Sequence, residues 1–199
     1  MKTKVNLFRL LALSGALIAT SYVASAVTPE HINLTVMANK KVLLESNIPQ
    51  RLAKLEITNL ETSEIVYSAK YPLAKAQKAV YNLSNLPEGN YSMVLRHDNL
   101  VYEKEIRLNE GNASLVKEFT YAEPVFESDH RKLSVQYANL SGNAVTVTIS
   151  NGSETLLTDN IDVAKAFSRD YVLKGFERGQ YDVTLVSGDR AFHYNLYIN

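Results

Sequence analysis

Acid–base and metal chemistry begins with imidazole, thiol and clustered carboxylate side chains, and these are sparse here. The 199 residues include four histidines and no cysteine. His31, His97, His130 and His193 stand alone, without the His-x-x-x-His or His-x-His spacing that converges imidazoles on one ion. His97 adjoins Asp98 at an expected reverse turn, where polar side chains face solvent. Glu127-Ser128-Asp129-His130 sketches a cation site but reads more simply as a solvated linker edge. Asp159-Asn160-Ile161-Asp162 offers two carboxylates and an amide, whereas calcium takes about six to eight oxygens. An ordinary polar turn is the expectation there, with calcium as the alternative.

Covalent catalysis has less to work with. No thiol nucleophile exists, and neither a Gly-x-Ser-x-Gly elbow nor a phosphate-binding glycine loop occurs among the eight glycines. A glycosidase's two carboxylates can lie far apart in sequence, so 21 acidic residues nominate no pair. The expectation is a protein that is not an enzyme, with no catalytic, cofactor-binding or metal-binding residue to name and no cofactor. Aromatic side chains are the remaining candidates. Twelve tyrosines accompany no tryptophan. Phe192, Tyr194 and Leu196 fall on one face of the last strand, and His193, Asn195 and Tyr197 on the other. Tyr67 and Tyr71 flank Lys70, and Phe119 with Tyr121 closes the first half. Core packing is the expectation for most of these rings, and a sugar-binding platform the alternative.

The elements that carry these residues follow a leader. Met1 to Asn6 is basic, Leu7 to Val23 is an apolar-rich stretch in which only Arg9 is charged, and Ala24-Ser25-Ala26 is a small-x-small triplet. These are the parts of a secretory signal peptide over residues 1–26, with Val27 as the first mature residue. Removing Lys2, Lys4 and Arg9 leaves 18 basic and 21 acidic side chains, a formal charge of −3. Mild acidity without a basic cluster argues against nucleic acid or an anionic membrane as partner. No later stretch is apolar and long enough to span a bilayer as a helix.

Beyond Ile32 apolar and polar residues alternate with period two, in short runs separated by Asn, Gly, Asp or Ser, the pattern of half-buried strands. Strands are expected at about 31–37, 41–44, 53–58, 64–69, 78–83, 89–96, 101–108 and 114–120, and again at 132–137, 144–150, 154–157, 169–173, 179–186 and 190–197. Asp98-Asn99, Glu110-Gly111-Asn112, Asn151-Gly152 and Ser187-Gly188-Asp189 supply hairpin turns. Pro72 to Lys78 and Ile161 to Phe167 are connections or a single helical turn. Lys104, between Glu103 and Glu105, is the charge expected on an edge strand.

The halves repeat each other. Tyr81-Asn82-Leu83-Ser84-Asn85-Leu86-Pro87-Glu88-Gly89-Asn90-Tyr91 aligns without a gap on Tyr171-Val172-Leu173-Lys174-Gly175-Phe176-Glu177-Arg178-Gly179-Gln180-Tyr181, and Leu55 to Asn59 aligns on Val147 to Asn151. Glycine before an x-Tyr-x-apolar-x-Leu strand suits a tight entry turn where a side chain would clash, and Tyr91 and Tyr181 are expected to bury their rings with the hydroxyls bonded near the rim. The break falls at Glu123-Pro124, since proline interrupts a ladder. The fold class is all-β: two tandem antiparallel β-sandwich modules, 27–122 and 124–199, after the signal peptide.

The run Leu86-Pro87-Glu88-Gly89-Asn90-Tyr91-Ser92-Met93-Val94-Leu95, followed by a turn and another strand, resembles small sandwich modules of exported Bacteroidota proteins. These are immunoglobulin-like or fibronectin-type-III-like domains and the C-terminal sorting domain of that phylum's secretion system; Phe176 to Leu185 and Arg190 to Ile198 hold the corresponding terminal position. The resemblance implies a sandwich fold, and for the second module a sorting signal. The final strand lacks the basic residue usual near the end of a sorting module. The reading is an exported, non-catalytic binding or structural protein of the periplasm or cell surface, whose partner is another envelope protein or a surface glycan. The alternatives are a carbohydrate-active or other hydrolytic enzyme on sandwich loops, and sorting. Oligomeric state is not legible.

Overall fold

The computed structural model describes residues 32–46, 51–73, 77–129, 131–152, 154–162 and 165–199. The expected signal peptide, His31 and His130 lie outside them. In chain order the strands are β1 (Ile32–Met37), β2 (Lys41–Ser46), β3 (Arg51–Asn59), β4 (Ile65–Leu73), β5 (Gln77–Asn82), β6 (Gly89–His97), β7 (Leu100–Asn109), β8 (Asn112–Ala122), β9 (Val125–Asp129), β10 (Lys132–Ala138), β11 (Val145–Ser150), β12 (Thr155–Ile161), β13 (Ala166–Val172), β14 (Gly179–Ser187) and β15 (Arg190–Ile198). All pairings are antiparallel.

Sheet β1-β2-β5 accompanies sheet β4-β3-β6-β7-β8, and sheet β13-β10-β9 accompanies β12-β11-β14-β15. The second pair repeats the strand order of the first, and β8 is the addition. The chain is two tandem antiparallel β-sandwiches. Alternation builds the cores: Leu133, Val135 and Tyr137 of β10, Val145, Val147 and Ile149 of β11, and Tyr91, Met93 and Leu95 of β6 are buried. Full burial of each aliphatic side chain contributes about 1.5–3 kcal/mol.

The duplication extends to individual bonds. Tyr91 lies opposite Ile106 and Tyr181 opposite Leu196, Ile57 opposite Met93 and Ile149 opposite Val183. The Leu83 amide donates to the Lys40 carbonyl as the Leu173 amide does to that of Arg131. The Tyr91 hydroxyl donates to the Pro87 carbonyl at 3.0 Å and the Tyr181 hydroxyl to the Glu177 carbonyl at 2.8 Å. A tyrosine at the start of a strand, bonded back to backbone just upstream, is a hallmark of immunoglobulin-like sandwiches.

Several expectations need correction. Val125–Asp129 forms β9, a strand where a linker edge was expected, which leaves only Glu123-Pro124 between β8 and β9. No helix occurs among the described residues: Pro72 and Leu73 end β4, Lys78 belongs to β5, Ile161 ends β12, and Ala166 and Phe167 open β13. Gly89 and Gly179 are required by backbone conformation, not by a clash. Their φ angles are +150° and +157°, where side-chain-bearing residues are strained, while a Cβ at Gly179 would meet nothing within 4 Å. Lys104 is on β7, an interior strand, and the edge is β8. Ser92, which alternates with the core-facing residues of β6, is nonetheless buried, with its hydroxyl donating to Glu103 at 3.0 Å.

Candidate functional site

The polar clusters singled out above are not gathered into one site. His97 is the last residue of β6 and is buried with the core-facing side chains, where a solvent-facing turn was expected; Asp98, next in the turn, has its Oδ2 3.8 Å from His97 Nε2. His193 is on the exposed face of β15 with its Nδ1 3.2 Å from the Thr184 hydroxyl. Glu127 and Asp129 are exposed on β9. Asp159, Asn160 and Ile161 lie on β12, so alternation directs neighbouring side chains to opposite faces. Ile161 is buried, Asn160 accepts from Thr146, and Asp159 accepts from Tyr171 at 2.9 Å. Among the described residues no three His, Cys, Asp or Glu side chains are grouped to hold a metal ion.

The aromatic residues are brought together, and they do so where the halves meet. Phe119 and Tyr121 share one face of β8, since residues two apart on a strand point the same way. The Arg190 guanidinium, at the start of β15, lies 3.6 Å from the Tyr121 ring centroid and 5.0 Å from that of Phe119. Tyr121 also approaches Phe192 with centroids 6.4 Å apart, and Phe192 continues to Tyr137 at 5.9 Å. The connection is held as well: the Glu123 amide donates to the Asn99 carbonyl, and Arg96 bridges Glu123 at 3.3 Å and Glu56 at 3.1 Å.

Beside this clasp runs a groove of about 610 Å³ with walls from both sandwiches. Glu103, Glu105, Glu118, Phe119 and Tyr121 line one side, and Asn143, Asp189 and Arg190 the other. Four carboxylates thus stand against one guanidinium, which is itself stacked on a ring. Burial, reinforced by Glu103, raises the Tyr121 phenol above its ordinary range. The Lys104 ammonium, 2.7 Å away, holds the Glu118 carboxyl below the usual carboxylate range.

A second concavity, about 380 Å³, opens on the other face of β8, between its residues 118–120, Tyr102 and Lys104 of β7, and Ile32 to Leu34 of β1. The equivalent side of the second sandwich is occupied differently. Register places Phe126 where the first has Leu34, and Tyr194 where it has Lys104. Those two rings stack at 5.2 Å and 11°, and the Tyr194 hydroxyl lies 3.1 Å from that of Ser128. The aromatic stack joins the edge strands β9 and β15; Leu34 and Lys104 form no such stack. Sequence reading had Phe119, Tyr121, Phe192 and Tyr194 as aromatic candidates but missed Arg190, Asp189 and the carboxylates.

Comparison with known proteins adds little. No protein-family model and no curated protein sequence matches the chain. Among solved structures, a biofilm-associated protein BSP domain matches at 14% identity and a TM-score of 0.30 over 85% of this chain. The chain spans 29% of the length of that structure. A segment of two fibronectin type-III domains from chicken tenascin matches at 11% identity and a TM-score of 0.31, covering 83% of this chain and 97% of that one. The sandwich assignment rests on this chain's own sheet order and cores.

Proposed function

We propose that this is an exported, non-catalytic binding protein of the cell envelope, whose recognition surface is the junction of its two sandwiches. The observation that carries the reading is the acidic, aromatic groove walled by Glu103, Glu105, Phe119 and Tyr121 on one side and Asn143, Asp189 and Arg190 on the other. Neither sandwich builds it alone. Export is supported by the signal-like pattern of residues 1–26, and among the described residues no helix is long and apolar enough to cross a membrane. A partner from the envelope, protein or glycan, fits such a surface.

The test measures binding and turnover in parallel on one panel of peptides and glycans. Saturable binding without product, weakened in a Glu105→Lys, Asp189→Lys variant that melts like the parent, supports the reading. Turnover of any panel member by the purified chain sinks the non-catalytic part, and binding untouched by the double variant sinks the placement.

A further inference from the structure

We infer that β8 is a docking edge for an extended, basic peptide segment, which joins the sheet as an additional strand and sends alternate side chains into the two concavities on either side of β8. The inference rests on the binding reading above and names the class of partner.

The first observation is the strand itself. β8 closes the order β4-β3-β6-β7-β8, and its only sheet neighbour among the described strands is β7. Ser114 to Thr120 are exposed without interruption. An edge strand of this length offers a row of backbone donors and acceptors to an incoming strand. Among the described strands β8 has no counterpart in the second sandwich, whose order is β12-β11-β14-β15.

The second observation is that both concavities are lined by Glu103, Glu118, Phe119 and Thr120. They therefore flank the same stretch of β8 on its two faces. A strand laid along that edge presents successive side chains to opposite faces, one to each concavity. The inner one has Ile32, Leu34 and Tyr102 among its walls, beside Asn33, Thr120 and the Lys104–Glu118 pair, and an aliphatic side chain is the one that would use its apolar part. In the second sandwich the equivalent positions carry the stacked Phe126 and Tyr194 in place of Leu34 and Lys104.

The third observation is charge. The outer groove sets Glu103, Glu105 and Asp189 against Arg190, whose guanidinium lies on the Tyr121 ring; Glu118 is paired with Lys104, and Lys117 lies opposite Glu105 in the β7–β8 register. Lysine or arginine side chains on the outward face of the incoming strand are complementary to that excess. An adjacent pair of one aliphatic and one basic residue, repeated, is the segment the site takes.

The experiment uses the full chain, isotopically labelled, and a short capped peptide of alternating lysine and valine, at low salt. Three controls accompany it: the peptide with glutamate for lysine, and two versions N-methylated on alternate residues so that one or the other edge of the peptide loses its donors. The expected result is amide shifts confined to Ser114–Thr120 and the two concavities. The glutamate peptide should bind at least about tenfold more weakly, as should one methylated version but not the other. Glu105→Lys should weaken the lysine peptide by a similar factor while the melting curve stays in place. Equal binding by lysine and glutamate peptides, equal binding by both methylated versions, or shifts on another strand overturn the inference. So does protection of Ser114–Thr120 by self-association without peptide, which assigns the edge to a second copy. Glycan binding in the groove with no peptide binding overturns it too, yet leaves the proposed function standing.

Discussion

The Tyr171 hydroxyl donates to the Asp159 carboxylate at 2.9 Å, and the two residues belong to different sheets, β13 and β12. On the opposite side of the same sandwich, β9 and β15 are joined by the Phe126–Tyr194 stack. The second sandwich is thus pinned along both flanks, one by a charge-assisted hydrogen bond and one by rings. Arg169 adds a cation 3.8 Å from the same Asp159 oxygen.

Tyr171→Phe should cost about 2 kcal/mol in denaturant unfolding, the scale of a hydrogen bond to a charged group. Its pH dependence is a sharper reading. Burial, and after it the Asp159 carboxylate, raises the Tyr171 phenol above its ordinary range. The folded state then holds this proton more tightly than the unfolded state, so the contribution is complete below about pH 10 and declines as pH rises beyond it. The stability gap between parent and Tyr171→Phe should narrow above about pH 10. A gap independent of alkaline pH contradicts the assignment.

The two tyrosine corners predict a matched pair of effects. Tyr91→Phe and Tyr181→Phe each remove one hydroxyl-to-carbonyl bond and leave the buried ring in place. Each should lower stability by about 1 kcal/mol. Spectra showing loss of one module's fold, or no change in either melt, would speak against equivalent corners.

Gly89→Ala and Gly179→Ala should each cost about 1–3 kcal/mol through backbone strain at their positive φ. Steric crowding predicts otherwise, because the nearest atom to a Cβ at Gly89 is 3.6 Å away and Gly179 has none within 4 Å. Thermal melts of the two variants decide, and unchanged midpoints would show that the turn relaxes.

The Arg190 clasp is tested by a double-mutant cycle on the full chain with Arg190→Ala and Tyr121→Leu. A guanidinium 3.6 Å from a half-buried ring should give a coupling of about 1 kcal/mol. Additivity within about 0.3 kcal/mol means that the halves do not meet through this pair.

Among the described strands, period-two alternation located all except β9. Only Phe126 of Val125–Asp129 is partly buried, so the strand carries no alternating apolar signal, and Pro124 immediately before it reads as an interruption. Proline before an edge strand is compatible with pairing, since β9 pairs only with β10. The burial of Tyr91 and Tyr181 was legible from the glycine-x-tyrosine spacing; their carbonyl partners were not, because a turn's path is not periodic. His97 was misplaced by one residue: the turn begins at Asp98, with φ +50°, and His97 still follows the inward face of β6. The groove was least legible. Phe119 and Tyr121 stood out as alternating rings, but their pairing with Arg190 depends on how the sandwiches meet, which no spacing within either half encodes.

Cross-strand nuclear Overhauser contacts test most directly whether one sandwich plan is used twice, with β8 added to the first. The account predicts Tyr91 opposite Ile106, Tyr181 opposite Leu196, and β8 in contact with β7 alone in its sheet, Tyr102 facing Thr120. Registers that differ between the two halves by a residue, or β8 found paired on both sides within one chain, would contradict it.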